Sequence, residues 1–278
     1  MFQKEENILI GLSLREPNYN DFINKKVEVN FVEVISENYF YTKGSRREDL
    51  IRISDDYAIH LHGVSLNIAG FEPFDSRMIS QLRELIQLTR PELVSDHLCF
   101  TRLDGISSFD LLPFPFTKAM IKHLKDRINQ VRDLLEVDIA FENISTYFRF
   151  DLDEMDESEF LTELQQHTNT KYLLDLNNLV VNQFNHNLNP NKLIDSLDSQ
   201  CVAGFHLAGY LDEKTFYFDA HDSKIPDSVW ELYAKAIQKF GFQPTIIERD
   251  ENIPTTIDLV NETKKAKKIV NDYMAICK

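Results

Sequence analysis

Cysteine is scarce: Cys99, Cys201 and Cys277 are the only three in 278 residues, too few and too irregularly spaced for a disulfide framework or a Cys-rich zinc site. A reducing cytoplasm is the expected setting. Positive charge is also short. Lys and Arg number 30 against 45 Asp and Glu, a formal charge of −15, which argues against a nucleic-acid-binding surface because such a surface needs a basic footprint. Long apolar runs are missing too. No segment approaches the roughly 20 apolar residues that span a bilayer, and the opening MFQKEENILIGLSL has no basic region leading into such a run, so secretion and membrane insertion are not expected. No Gly-rich linker, low-complexity tract or repeat divides the chain, and residues 1–278 read as one domain.

What is present is a regular alternation. With 43% hydrophobic residues the chain can build one large core. Eight short runs rich in β-branched or aromatic residues recur: ILIGLSL (8–14), VNFVEVIS (29–36), YAIHLHGV (57–64), ELVSDHLCF (92–100), VDIAFENI (137–144), KYLLDLNN (171–178), VAGFHLAG (202–209) and PTIIERD (244–250). Between several of them lie amphipathic stretches. In TKAMIKHLKDRINQVRDLL, Met120, Leu124, Ile128, Val131 and Leu135 recur at steps of three and four, which predicts a helix with one apolar face. DSRMISQLRELIQLTR and DSVWELYAKAIQKFG read likewise, each opening on an Asp and Ser able to cap, the second closing on Gly241. Strand followed by helix, eight times over, predicts an α/β fold, a (β/α)8 TIM barrel, with a doubly wound open sheet as the runner-up. The acidic FDLDEMDESEF reads as a solvated loop entering a helix near Ser158, and KKAKK near the C-terminus as the solvated face of the last helix.

In such a barrel, catalytic groups belong at the C-terminal ends of the strands, where the loops form the open mouth. The runs end in chemistry: His62 on the third, His97 on the fourth, Glu142 and Asn143 on the fifth, Asp175, Asn177 and Asn178 on the sixth, His206 on the seventh, Glu248 and Asp250 on the eighth. The loop FYFDAHDS adds Asp219 and His221. Imidazoles and carboxylates without thiolates suit iron, manganese or zinc, and a carboxylate can bridge two ions. Eight such ligands exceed what one ion needs, which points to two or three metals. Singly, each residue has a blander reading: a lone strand-end His is more often a hydrogen-bonded structural residue, and Asp175 can serve as a cap. The joint pattern weighs against those readings, because burying several unpaired acids and imidazoles together costs several kcal/mol each unless cations compensate them. His60 shares a strand face with His62 but is read as structural. His123 and His167 are read as surface residues of helices, and His186 is left open between loop structure and a site contact.

SENYF (36–40), LHGVSLNIAG (61–70), VSDHLCF (94–100), DLLPFPF (110–116), FENISTYFRF (141–150), LLDLNNLVVN (173–182), FHLAGY (205–210), DAHDS (219–223), VWELY (229–233) and PTIIERD (244–250) resemble, in order, the motifs of the multinuclear non-haem iron-dependent oxidative enzymes, or MNIO. That family includes the methanobactin biosynthesis iron enzyme MbnB, and the resemblance spans nearly the whole chain. It implies a xylose-isomerase-like TIM barrel holding two or three mixed-valent irons, Fe2+ and Fe3+, with O2 as co-substrate. It implies His62, His97, Glu142, Asp175, His206, Asp219, His221 and Glu248 as ligands, Glu142 bridging. Asn143, Asn178 and Asp250 would face the ligands or the substrate, Asp250 as an acid/base. The implied substrate is a ribosomally made precursor peptide, modified at cysteine, delivered by a small leader-peptide-binding partner protein. Ile35, Tyr210 and Asn18 stand where relatives often carry His. A divalent-metal isomerase or hydrolase on the same barrel, or a non-catalytic iron-binding protein, are the alternatives.

Overall fold

Each of the eight runs forms a strand: β1 (Ile10–Ser13), β2 (Phe31–Ile35), β3 (Ala58–Gly63), β4 (Leu93–His97), β5 (Ala140–Glu142), β6 (Lys171–Asp175), β7 (Val202–Leu207) and β8 (Thr245–Ile247). In the computed structural model, which describes residues 8–25 and 27–276, every pairing between these strands is parallel, and β1 meets both β2 and β8, closing a barrel. This is the expected (β/α)8 TIM barrel. Cys277 lies outside the described residues, while Cys99 and Cys201 are buried free thiols. No described helix is long and apolar enough to cross a membrane.

The helices cover the barrel because their apolar stripes have nowhere else to go. Met120, Leu124, Ile128, Val131 and Leu135 are all buried on the helix Lys118–Leu135. Asp75 caps Ser76–Thr89 by accepting from the backbone N–H groups of Arg77 and Met78. The acidic run enters a helix at Glu157, where Asp156 and Glu159 form a reciprocal capping box. The helix Asp227–Phe240 departs from expectation: Pro226 occupies its N-cap and no side chain caps it, so Asp227 lies inside the first turn. Gly241, at φ 71°, ends it as anticipated. Lys264, Lys265 and Lys268 are exposed around buried Ala266 on the last helix, Thr256–Ile276.

Two hairpins were not foreseen. Phe100–Leu103 pairs with Ile106–Leu112 after β4, and Leu211–Asp212 pairs with Tyr217–Phe218 after β7. Both stand on loops at the C-terminal end of the barrel, outside its hydrogen-bonded ring, so their largely exposed residues leave little of the in-out alternation that marks a core strand.

Because strand side chains alternate, every second residue points into the barrel. Phe31 stacks on His60 at 4.0 Å there, and the floor has little room to spare. A Cβ on Gly11 would lie 2.7 Å from the Phe31 ring. Gly11→Ala is therefore expected to cost about 2 kcal/mol in denaturant unfolding, the usual scale of overpacking, and Phe31→Leu in the same chain to restore part of it. An unchanged midpoint for Gly11→Ala would show that the ring gives way freely.

Candidate metal centre

The inward parity of the strands brings His62, His97, Glu142, Asp175, His206 and Glu248 to one end of the barrel, and the loop after β7 returns His221 to the same place; all seven are buried. Glu142 sits at the middle. Its Oε2 is 3.2 Å from His62 Nε2, 3.7 Å from His97 Nε2 and 3.3 Å from His206 Nδ1. His206 Nδ1 is also 2.9 Å from Glu248 Oε2, and that oxygen lies 3.5 Å from His221 Nδ1. His221 Nε2 faces Asp219 Oδ1 at 2.7 Å and Asp175 Oδ2 at 3.7 Å.

The protons do not suffice to reconcile these atoms. His97 Nδ1 lies 3.0 Å from the carbonyl oxygen of Gly63. A carbonyl only accepts, so the bonding network assigns the proton to Nδ1, leaving Nε2 as a lone pair turned toward Glu142. His62 Nδ1 is 2.9 Å from Ser95 Oγ, whose hydroxyl reaches the Leu61 carbonyl at 3.4 Å. The same assignment follows for His62, whose pKa is pushed well down by burial and by His97 and His206. Imidazoles held at one nitrogen and bare at the other, opposite a carboxylate, are the arrangement of metal-ligating histidines. Glu142 Oε2, Asp175 Oδ2, both nitrogens of His206 and His221 Nε2 are buried with no well-aligned hydrogen bond among the described residues. Buried polar atoms are seldom left so.

Charge sharpens the point. Burial disfavours a charged His206, yet Glu33, Glu142 and Glu248 outweigh it and raise its pKa well above the ordinary value. His221 is raised in the same sense, with Asp219 and Glu248 overcoming burial. Burial and then Glu142 push Asp175 well up, whereas His206 and His221 overcome burial to hold Glu248 well down. The ligand atoms fall into overlapping nests, each within 4.8 Å: His62, His97 and Glu142; Glu142, Asp175 and His206; Asp175, His221 and Glu248; and Glu33, His206 and Glu248. Glu142, Asp175, His206 and Glu248 each belong to two nests, and the three carboxylates among them are groups able to bridge ions. The donor set fits a multinuclear centre.

The surrounding bonds explain how these atoms are held. Asp175 is the N-cap of the helix Leu176–His186: Oδ1 accepts from the Asn178 N–H at 2.7 Å, leaving Oδ2 for the centre. It thus fills the capping role and faces the site at once. Asn177 and Asn178 belong to that helix and not to β6. Asn143 donates to the Asp175 carbonyl at 3.0 Å and accepts from its N–H at 2.9 Å, and Asn178 Nδ2 donates to the Asn143 carbonyl at 3.0 Å. The two amides lace β5 to β6. Asp96 points away from the barrel, accepting from the N–H groups of His97 at 2.8 Å and Leu66 at 3.2 Å. A Cβ at Gly63 would lie 2.1 Å from its Oδ2, so glycine leaves room for that carboxylate. Arg127 donates to the carbonyls of Asn67, Ile68 and Glu72 and holds the same loop from outside.

Asp219 stands beside the nests, bonded to His221, Ser145 Oγ at 3.0 Å and Asn177 Nδ2 at 2.7 Å. Asp250 occupies the rim, its side chain 40% exposed. It is held by Arg15 and lies 3.3 Å from His221 Nδ1. Arg15 also reaches Glu248 Oε1 at 3.2 Å. Neither Arg15 nor Glu33 was singled out in the sequence. Glu33 Oε1 is 2.8 Å from His206 Nε2, and its signal was an acid at inward parity in the apolar run FVEVI. His60 lies beneath the centre on Phe31, its pKa lowered to about 3 by burial and His206. His186, the last residue of the helix Leu176–His186, lies 2.8 Å through Nε2 from the Thr146 carbonyl and so has a structural partner outside the cluster. His167 is on the surface, but His123 is not free there. Its Nε2 is 3.1 Å from the carbonyls of Ala69 and Gly70 and its ring packs on Phe71, because the loop after β3 folds back over that helix. Asn18 is buried against Thr256, and Tyr210 stacks on Tyr217.

Known proteins agree with this arrangement at two levels. An L-ribulose 3-epimerase superposes with a TM-score of 0.61 at 10% identity, over 97% of this chain and 98% of that one. Endonuclease IV from Thermus thermophilus superposes at 0.57 and 13%, over 94% and 99%. At such identities the likeness is one of fold. Sequence relatives are nearer: a UPF0276 protein of Rhizorhabdus wittichii is 38% identical over 268 residues, 96% of both chains, and one of Caulobacter vibrioides is 36% identical over 258 residues, 92% of both. The family described as RiPP precursor modification enzyme MbnB/TglH/ChrH matches residues 9–271. With a match of that extent laid over a barrel whose strand ends converge on one buried cluster, the chain belongs to that family of enzymes that modify ribosomally synthesised peptide precursors.

Proposed function

We propose that the protein is a multinuclear non-haem iron, O2-dependent oxidoreductase that modifies a precursor peptide at cysteine. The observation that carries the reading is the set of buried atoms on Glu142, Asp175, His206 and His221 that make no well-aligned hydrogen bond among the described residues, facing one another across nests sized for metal ions. Their hard and borderline donors suit iron. His62, His97 and Glu142 would hold one ion, with Asp175, His206, His221 and Glu248 holding the others and Asp219 steadying His221. When bound, the irons would supply one-electron chemistry toward O2 and a Lewis-acidic seat for a substrate thiolate.

The chain's own groups provide the rest. Lacing of Asn143 and Asn178 to Asp175 keeps the donor atoms in place without reorganisation. Asp250, half-exposed and held by Arg15, is positioned to take a proton from a peptide at the mouth. Closed strands beneath the site exclude water from below. A small protein that delivers the leader sequence is part of the proposal, as is a cytoplasmic setting.

Anaerobically purified protein grown on iron-57 is expected to contain two or more irons per chain, in coupled ferrous and ferric states by Mössbauer spectroscopy. Zinc or manganese alone, with no O2 consumption after iron reconstitution, would replace this reading with a divalent-metal isomerase or hydrolase. His97→Ala and Glu142→Ala should each lose metal by elemental analysis while keeping the far-UV circular dichroism of the barrel; full metal retention in both sinks the ligand assignment. Protonated His206 and His221 must give up protons when a cation binds. Metal loading is therefore expected to weaken as pH falls and to release protons, read as a buffer-dependent heat in calorimetry. A heat independent of buffer ionisation would contradict it.

A further inference from the structure

The hairpin after β7 has two faces, one packed into the fold and one left partly open to solvent. Alternation turns Tyr217 inward, where it is stacked between Phe184 at 3.9 Å and Tyr210 at 4.1 Å. Asn185 brackets the same residue as a strand neighbour would, accepting from the Tyr217 N–H at 2.8 Å and donating to its carbonyl at 2.9 Å. The hairpin is therefore rigidly seated. Phe216 and Phe218, one residue to either side, turn the other way. They remain 40% and 45% exposed, beside Tyr147 at 44%. Tyr147 stacks on Phe218 at 5.6 Å and meets Phe216 edge-on at 6.4 Å.

This aromatic group adjoins the metal centre directly. Tyr147 Oη accepts from the backbone N–H of Asp219 at 3.1 Å, and Asp219 follows Phe218 in the chain and bonds His221. Three rings held firm yet open to solvent at the edge of a catalytic site have the character of a binding hot spot: large apolar area, already ordered, with little left to lose on contact.

We propose that Tyr147, Phe216 and Phe218 form a platform that seats an aromatic or long aliphatic side chain of the precursor peptide, flanking the residue under modification. This deepens the peptide-modifying reading and rests on it. The occupant is a peptide side chain because the platform is continuous, through Asp219, with the site of a peptide-modifying family and offers exposed ring faces. Platform and centre together would select a cysteine with an apolar neighbour.

The test is a displayed library of ten-residue peptides with a fixed central cysteine and random flanks, panned against the metal-loaded full chain. Wild type is expected to enrich aromatic or long aliphatic residues at a flanking position by about tenfold, the scale of one aromatic contact. Phe216→Ala and Phe218→Ala, each checked for metal content and circular dichroism, should lose that preference while still retaining cysteine peptides. Enrichment of peptides with no apolar bias, or a bias unchanged in both variants, overturns the platform alone. No enrichment of any peptide by wild type also overturns the platform, while the peptide-modifying reading, which includes a leader-delivering partner, stands or falls on the iron and O2 measurements above. Phe216→Leu serves as the second variant if alanine disturbs the hairpin, and should retain part of the preference.

Discussion

Everything at the mouth of this barrel answers to one constraint: Glu142 Oε2 is buried among the nitrogens of His62, His97 and His206 with no well-aligned hydrogen bond among the described residues. Two of those imidazoles carry their proton on the far nitrogen. Lone pairs facing a carboxylate repel, and burial in a medium of low dielectric magnifies the repulsion. A cluster of this kind persists when cations bind it and the surrounding fold holds it together. The loop after β3 illustrates the holding: Asp96 anchors it from one side and Arg127 from the other, so that His62 and the Gly63 carbonyl keep their places.

The same economy recurs at Asp175. One oxygen caps a helix and the other faces the centre, so a helix start fixes the aim of a candidate ligand. Asn143 ties the Asp175 backbone to β5. Amides that read in sequence as facing either the ligands or the substrate thus serve in the structure as the stitching between the backbones that carry Glu142 and Asp175. At the opposite edge Arg15 spans Glu248 and Asp250, so its guanidinium orients both a buried carboxylate and a rim carboxylate. The rim carboxylate and the buried cluster are mechanically linked through that side chain.

Much of this was legible beforehand. The eight strands, the closed barrel and the gathering of His62, His97, Glu142, Asp175, His206 and Glu248 followed from period-two runs that end in polar residues, because strand ends in a parallel barrel share one mouth, while Asp219 and His221 were read from the loop after β7. Glu33 escaped notice since it sits in the middle of its run, and Arg15 since it lies in a loop after β1. Neither position is marked by the rule that drew attention to strand ends. His123 was read as a surface residue because helix periodicity cannot reveal that a distant loop folds over its exposed face. The hairpins carried too little apolar alternation to stand out.

Local pattern therefore determined the architecture and the kind of donor atoms, since burial of alternate side chains in parallel strands dictates which residues share the interior. The tertiary structure alone decided which atoms meet. It showed that Glu142 is central, that Asp219 stands beside the nests, that Asp250 is held at the rim, and that Tyr147 comes from a distant loop to stack on Phe218. Those relations depend on loop conformations and on hydrogen bonds between residues far apart in the chain, and periodicity carries no record of either.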